Sequence, residues 1–249
     1  MLNHDKQTNF IKSFSIDFDE LEKKNAKDVL SWSIKKFFPK IAFASSFGAE
    51  DVVVIDLMMK INKDHARVFT LDTGRLNPET YEVMDKIQKK YQIPIEILFP
   101  NQSEVEKMVY ENGINLMYNN VSNRKLCCEI RKVHPLKRIL ETLDAWITGL
   151  RRDQTFTRAN TKKIEIDSSN DDIIKINPLA DWTNDMVWDY IKHNDLPYNK
   201  LHDVGYPSIG CAPCTRAISS GDDLRSGRWW WENDPHKECG LHWTKNKYN

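Results

Sequence analysis

Five unevenly placed cysteines are the residues of this chain best suited to chemistry. Cys127 and Cys128 are adjacent, Cys211 and Cys214 form Cys-Ala-Pro-Cys, and Cys239 stands alone in Glu238-Cys-Gly-Leu-His242. Four thiolates suit zinc or an iron–sulfur cluster. Neighbours on a helix point about 100° apart. That disfavours two bonds from Cys127 and Cys128 to one small ion, and lets each thiolate reach a different iron of a cube. Arg131, Lys132, Arg216, Arg225 and Arg228 surround this set. Cations beside an anionic cluster stabilise and tune it; Arg131 itself reads as part of a solvated basic face. Cys239 has no metal partner by spacing. It lies in a polar tail beside Gly240, with His236 and His242 near, which is how a reactive thiolate is presented. Trp229, Trp230 and Trp231 are given a packing role.

Three further motifs suit anions. Ser45-Ser-Phe-Gly-Ala-Glu-Asp51 joins a strand to a helix, where backbone N–H groups and serine hydroxyls cradle phosphate. No Gly-Lys-Ser/Thr follows, so it is not a Walker loop. Leu71-Asp-Thr-Gly-Arg75 ends a second strand, with a glycine for close backbone approach and a guanidinium fork for phosphate or sulfate oxygens. Gly149-Leu-Arg-Arg-Asp153 places two adjacent arginines after a further strand. Each alone is an ordinary turn; three at one edge of one sheet point to a shared site. From these loops Ser45, Ser46, Phe47, Gly48, Asp72, Thr73, Gly74, Arg75, Gly149, Arg151 and Arg152 are the candidate substrate contacts.

The elements that must position them follow from hydrophobic periodicity. Strands are expected at Ile41–Ser45, Arg67–Asp72, Ile93–Phe99 and Ala145–Gly149. Helices are expected at Glu50–Ile61, Pro78–Tyr91, Ser103–Glu111, Lys125–Leu140 with Pro135 interrupting or restarting it, and Thr183–His193. A hairpin is expected of Lys163–Ile166 and Ile173–Ile176. Alternating strands and helices argue an α/β fold, a mainly parallel sheet with helices on both faces. Ligands in such folds sit beyond the carboxyl ends of the strands. Residues 1–205 are assigned to this α/β unit with a helical N-terminal extension. Residues 206–249 are read as a C-terminal segment of the same structural domain, carrying Cys-x-x-Cys and the cysteine tail.

Lysine plus arginine equals aspartate plus glutamate at 36 each, so no global field attracts nucleic acid or a membrane. The stretch Val52–Met59 is too short to span a bilayer, and Met1–Phe10 lacks a secretory signal. The expected address is the cytoplasm, where five cysteines mean metal binding or catalysis rather than disulfides.

Taken in order, the Ser45–Asp51, Leu71–Arg75 and Thr148–Asp153 loops, the Cys-Cys…Cys-x-x-Cys set, Arg228-Trp-Trp-Trp-Glu232 and Glu238–His242 resemble the iron–sulfur branch of the adenylyl sulfate (APS) and phosphoadenylyl sulfate (PAPS) reductase family, from about Phe43 to His242. The resemblance implies an adenine-nucleotide alpha-hydrolase-like (PP-loop) fold with a C-terminal catalytic tail. It implies thioredoxin-dependent reduction of adenylyl sulfate to sulfite and AMP in assimilatory sulfate reduction. Cys239 would be the nucleophile that carries the sulfonate, with His242 beside it. One [4Fe–4S] cluster would be held by Cys127, Cys128, Cys211 and Cys214. Lys132, Arg225 and Arg228 would face the substrate near it. Thioredoxin or glutaredoxin is the implied reductant, and a homo-oligomer, dimer or tetramer, is expected. Two alternatives stand beside this reading. An ATP-dependent PP-loop thiolation enzyme would carry Ser-Gly-Gly-x-Asp-Ser, where this chain has Phe47 and Ala49 out of pattern. A zinc-stabilised nucleotide-binding protein is the non-enzymatic alternative.

Overall fold

The computed structural model describes residues 16–219 and 221–232; Cys239 and His242 lie outside them. Helices α1 (Phe18–Glu22) and α2 (Ala26–Phe37) open the described chain. The Asn25 side chain accepts from the Asp28 N–H, which caps α2. Val29, Leu30, Ser33, Ile34 and Phe37 then form its buried stripe.

Six strands follow: β1 (Ile41–Ala44), β2 (Val68–Leu71), β3 (Glu96–Leu98), β4 (Ala145–Ile147), β5 (Ile164–Asp167) and β6 (Ile173–Ile176). They form one sheet in the order β3-β2-β1-β4-β6-β5. All neighbours are parallel except the antiparallel hairpin pair β5 and β6. The central strands are apolar at every position because both faces are covered. Ile41, Phe43, Ala145 and Ile147 enter one core with α2, α3 (Ala49–Asn62), α4 (Pro78–Tyr91) and α8 (Asn184–His193). Ala42, Phe69 and Trp146 enter the other, with Leu136, Ile139 and Leu140. The period of two is the pleat of the strands. Helix α3 is buried from Asp51 through Met58, so it reads as apolar all round.

The four parallel strands expected from periodicity are found but shorter, Ile93–Phe99 reducing to Glu96–Leu98, while the hairpin keeps Ile173–Ile176 and shifts its first strand by one residue to Ile164–Asp167. Helix α5 (Gln102–Asn112) lies where a helix was expected. The expected helix Lys125–Leu140 begins earlier and is three segments: α6 (Val121–Cys128), a π-helical turn Glu129–Val133, and α7 (His134–Leu140). Pro135 is the second residue of α7, which directly follows the π turn. A π turn inside a helix is a frequent mark of a functional site, and this one directly follows Cys127 and Cys128.

The chain moves outward from β1 to β2 and β3, then returns to place β4 on the other side of β1. The crevice beyond the carboxyl ends of β1 and β4 is therefore the topological switch point, where such sheets bind ligands.

Candidate active site

A cleft of about 640 Å³ opens at that switch point. The loop after β1 brings Ser45, Ser46 and Gly48 to it, the end of β2 brings Thr73, and the end of β4 brings Gly149 and Arg151. Lys132, Cys211, Arg225 and Arg228 complete its far wall. Phe47, Asp72, Gly74, Arg75 and Arg152 are not in the lining.

In the serine loop, both donors of Ser46 are already taken up within the protein. Phe47 takes the left-handed region (φ 58°) and is fully buried, so its side chain anchors the loop in the core. The Asp51 carboxylate accepts from the Ser46 N–H at 2.5 Å and the Ser46 hydroxyl at 2.8 Å. Burial pushes the Asp51 carboxyl up to about 6, against the pull of those Ser46 bonds. Beside it burial also pushes Glu50 up, but the Arg151 guanidinium and Gln154 amide prevail and hold its carboxyl below the usual range. A Cβ on Gly149 would collide with the Asp51 carboxylate and come within 3.2 Å of Glu50 Cβ, so only glycine lets β4 pass this acidic corner.

Three arginines among the candidate substrate contacts also hydrogen-bond within the protein. Arg151 Nε and Nη2 donate to Glu50 Oε1 at 2.9 and 2.8 Å. Arg152 Nε donates to the Thr161 carbonyl at 2.8 Å, and its guanidinium pairs with Glu22. Arg75 donates to the Ile114 carbonyl and to Asn115 Oδ1, both at 2.9 Å. Asp72 accepts from Gly74 N at 2.8 Å and from the Tyr81 hydroxyl at 2.9 Å, making a turn brace. The arginines' carboxylate and amide partners come from distant segments, Glu50 for Arg151, Glu22 for Arg152 and Ile114–Asn115 for Arg75, and the sequence alone conceals them.

Behind the far wall, Cys127, Cys128, Cys211 and Cys214 line a second, smaller cavity. All four are buried and free of disulfides. The Thr73 hydroxyl lies 3.3 Å from Cys211 Sγ. Arg131, expected on a solvated face, is buried; its Nη1 donates to the Thr73 carbonyl at 2.7 Å and the guanidinium bonds Cys127. Its Nε and that of Arg228 are buried without a hydrogen-bond partner. Burial pushes Cys127 up, and burial with the Cys211 charge pushes Cys214 up to about 12. Four sulfurs facing cations across one cavity are a donor set that fits a group taking four thiolates. Among the described residues no three Cys, His, Asp or Glu side chains gather in a way that could hold a metal ion.

Trp229 is buried against this cavity. The guanidinium carbons of Arg124 and Arg228 each lie 4.8 Å from its ring centroid, and that of Arg225 at 6.0 Å. Arg124 clasps Glu232 through Nε at 2.8 Å and Nη2 at 2.9 Å, with both side chains 3% exposed. Trp231 packs edge-on to Tyr118 at 4.6 Å. The tryptophans therefore pack, as expected. Sequence reading missed Arg124 and the cleft residues Gln154, Arg158, Trp188 and His202. Only the Asn199 turn cap ahead of His202 was there to be noticed.

Residues 40–217 match the family described as the phosphoadenosine phosphosulfate reductase domain. Over 202 residues the chain is 49% identical to adenosine 5'-phosphosulfate reductase of Allochromatium vinosum, spanning 81% of this chain and 78% of that one. Among solved structures it resembles a PAPS reductase from Candida auris in its phosphate complex, with TM-score 0.68 and 31% identity over 80% of this chain and 97% of that one. Yeast FAD synthetase shares the fold alone, with TM-score 0.56 and 15% identity over 85% of this chain and 73% of that one. Buried thiols behind a nucleotide-sized cleft and a close reductase relative lead to one assignment: the chain belongs to the APS/PAPS reductase family, among its adenosine 5'-phosphosulfate reductases.

Proposed function

We propose that this protein reduces adenylyl sulfate to sulfite and AMP in sulfate assimilation, with Cys239 as the nucleophile. The observation that carries the reading is a shared wall: Lys132, Cys211 and Arg228 line both the nucleotide-sized cleft and the four-cysteine cavity. Cations fixed there neutralise the charge that develops on the AMP phosphate as it leaves, which this reaction needs more than a strong base.

The Cys239 thiolate attacks the sulfur of the sulfate group. The bond from sulfur to the phosphate oxygen breaks, AMP departs with that electron pair, and a cysteine S-sulfonate remains. A thiolate of thioredoxin or glutaredoxin then attacks Cys239 Sγ and releases sulfite. The reductant's second thiol closes its disulfide and frees Cys239, so the dithiol supplies both electrons. His242 and the arginines favour the thiolate and the anionic adduct. Lys132, Arg225 and Arg228 hold the phosphosulfate, while Ser45, Ser46, Gly48, Thr73, Gly149 and Arg151 shape the nucleoside end. Cys127, Cys128, Cys211 and Cys214 would hold one [4Fe–4S] cluster, which when bound supplies electrostatic tuning of this wall. The PP-loop thiolation alternative loses ground because Asp51 already fills the serine loop that would grip pyrophosphate.

No helix among the described residues is long and apolar enough to cross a membrane. The reading includes a cytoplasmic enzyme working as a dimer or tetramer. The experiment is to incubate enzyme with adenylyl sulfate and no reductant. A protein heavier by about 80 Da, one SO₃ group, is expected, with the mass mapping to Cys239 and removed by thioredoxin. Cys239→Ser is expected to keep the brown iron–sulfur absorption and form no adduct. An adduct on Cys127 or Cys211, or sulfite release by Cys239→Ser, would overturn the assignment.

A further inference from the structure

Arg124 lies on α6 one turn before Cys127 and Cys128, so the three share a helical face. It lines the four-cysteine cavity with them. Its guanidinium grips Glu232, 108 residues later, as a two-armed fork: Nε donates to Oε1 at 2.8 Å and Nη2 to Oε2 at 2.9 Å. Both side chains are 3% exposed. Replacing such a pair by apolar residues of similar volume is often neutral for stability. What the fork adds is direction, because two parallel bonds admit one orientation of the carboxylate. Between the cleft wall and this clasp the chain turns sharply. Trp229 is buried in the left-handed region at φ 45°, a strained place for so bulky a residue. Such strain persists only where the surroundings impose it. Here the Trp229 N–H donates to the Cys214 carbonyl at 3.1 Å, and the Arg124 and Arg228 guanidiniums lie 4.8 Å from its ring. Arg228 is held separately, by a backbone bridge to Thr215 and by side-chain bonds to Ser208 and Ile209. The Glu232 N–H donates to the Trp229 carbonyl at 2.9 Å, and the clasp then closes on the Glu232 side chain.

Cys239 follows Glu232 by seven residues. A tethered group attacks at an effective concentration set by tether length, falling roughly as its −3/2 power. Opening the clasp moves the anchor back to the Trp229 N–H, ten residues from Cys239. That alone lowers the effective concentration about twofold. Lost direction adds to it, since a misplacement of about 1 Å slows a reaction by as much as about 100-fold. We infer that Arg124 and Glu232 are a positioning pair for the covalent step. They fix where the Cys239-bearing segment leaves the shared wall, and so set the rate at which the thiolate meets the substrate sulfur. In that step Cys239 Sγ bonds to the sulfate sulfur while AMP leaves with the electron pair of the broken S–O bond. Neither residue of the pair lines the nucleotide cleft, so nucleotide binding and adduct formation separate. The inference rests on the reading of Cys239 as the nucleophile.

The test is rapid-quench mass analysis of the holoenzyme mixed with saturating adenylyl sulfate and no reductant, which reads the rate of S-sulfonate formation in one turnover. Iron content, melting temperature and calorimetric AMP affinity are measured beside it. Arg124→Met/Glu232→Leu removes the fork and fills its volume; Glu232→Gln keeps the shape and one arm. The double variant is expected to keep its iron and to bind AMP within about twofold of wild type, yet to form the adduct about 2- to 100-fold more slowly. Glu232→Gln is expected to fall between it and wild type. A merely structural pair would lower iron, AMP affinity and rate together, and that outcome overturns the inference. A wild-type rate in every variant that folds overturns it too. In both cases the adduct still forms on wild-type Cys239, and the proposed reaction stands. Absence of an adduct on wild-type Cys239 overturns that reaction, and the inference with it.

Discussion

Gly210 touches Arg228 so closely that one added methyl group tests the whole cation wall. A Cβ there would lie 2.6 Å from Arg228 Cζ and 3.1 Å from Nε, nearer than contact allows, so the guanidinium must move. Arg228 is held there weakly, by bonds of 3.3 Å to the Ser208 hydroxyl and 3.4 Å to the Ile209 carbonyl. Its long side chain can therefore yield, and the stability cost of Gly210→Ala should stay near the 1 kcal/mol lower end of an overpacking substitution, about 1–3 kcal/mol. Substrate binding should suffer more. Losing one charge-assisted contact is worth about 1.5–3 kcal/mol, or roughly 10- to 150-fold in affinity. The assay pairs calorimetric AMP binding and the KM for adenylyl sulfate with iron content and melting temperature. Weak binding with iron content and melting nearly unchanged is the expected pattern. Unchanged affinity and KM would mean that Arg228 does not hold the ligand, and would refute the cation wall.

Two further outcomes are expected. Arg124→Met should destabilise the protein by about 3–5 kcal/mol, because it strands the Glu232 carboxylate in a buried pair; a urea midpoint measurement should show Arg124→Met/Glu232→Leu recovering most of that loss. Asp51 has its folded pKa raised to about 6 from a reference of 3.8. The folded state thus holds this proton more tightly, and the Asp51 contribution to stability falls as pH rises from about 4 to about 6. The gap in urea midpoint between wild type and Asp51→Asn should shift in favour of the variant across that window and stay level above it; a gap that shifts the other way would count against a raised Asp51 carboxyl.

The sheet was legible because its signals are local. Ile41-Ala-Phe-Ala44 is apolar at every position, as a strand covered on both faces must be, and Pro78 marks a helix start by itself. Strand ends located the cleft, and four cysteines located the second cavity. What the sequence conceals is charge pairing. Only the fold brings Glu50, 101 residues earlier, against Arg151. Arg131 looks solvated until the π turn carries it toward Thr73 and Cys127. Pairings across such distances leave no periodic trace.

These internal pairings bear on the orientation proposed for a nucleotide in the cleft. With Ser46 occupied by Asp51 and Arg151 by Glu50, the β1 and β4 loops offer little to a phosphate and more to hydroxyls and amines. The proposed function accordingly puts the phosphosulfate at Lys132, Arg225 and Arg228, which line the cleft, two of them shared with the cysteine cavity. The chain's route supports the same orientation. Glu232 is pinned to Arg124 beside that cavity, and Cys239 follows seven residues later. Seven residues span at most about 25 Å when fully extended. Under the proposed function the nucleophile therefore works within about 25 Å of the Glu232 anchor.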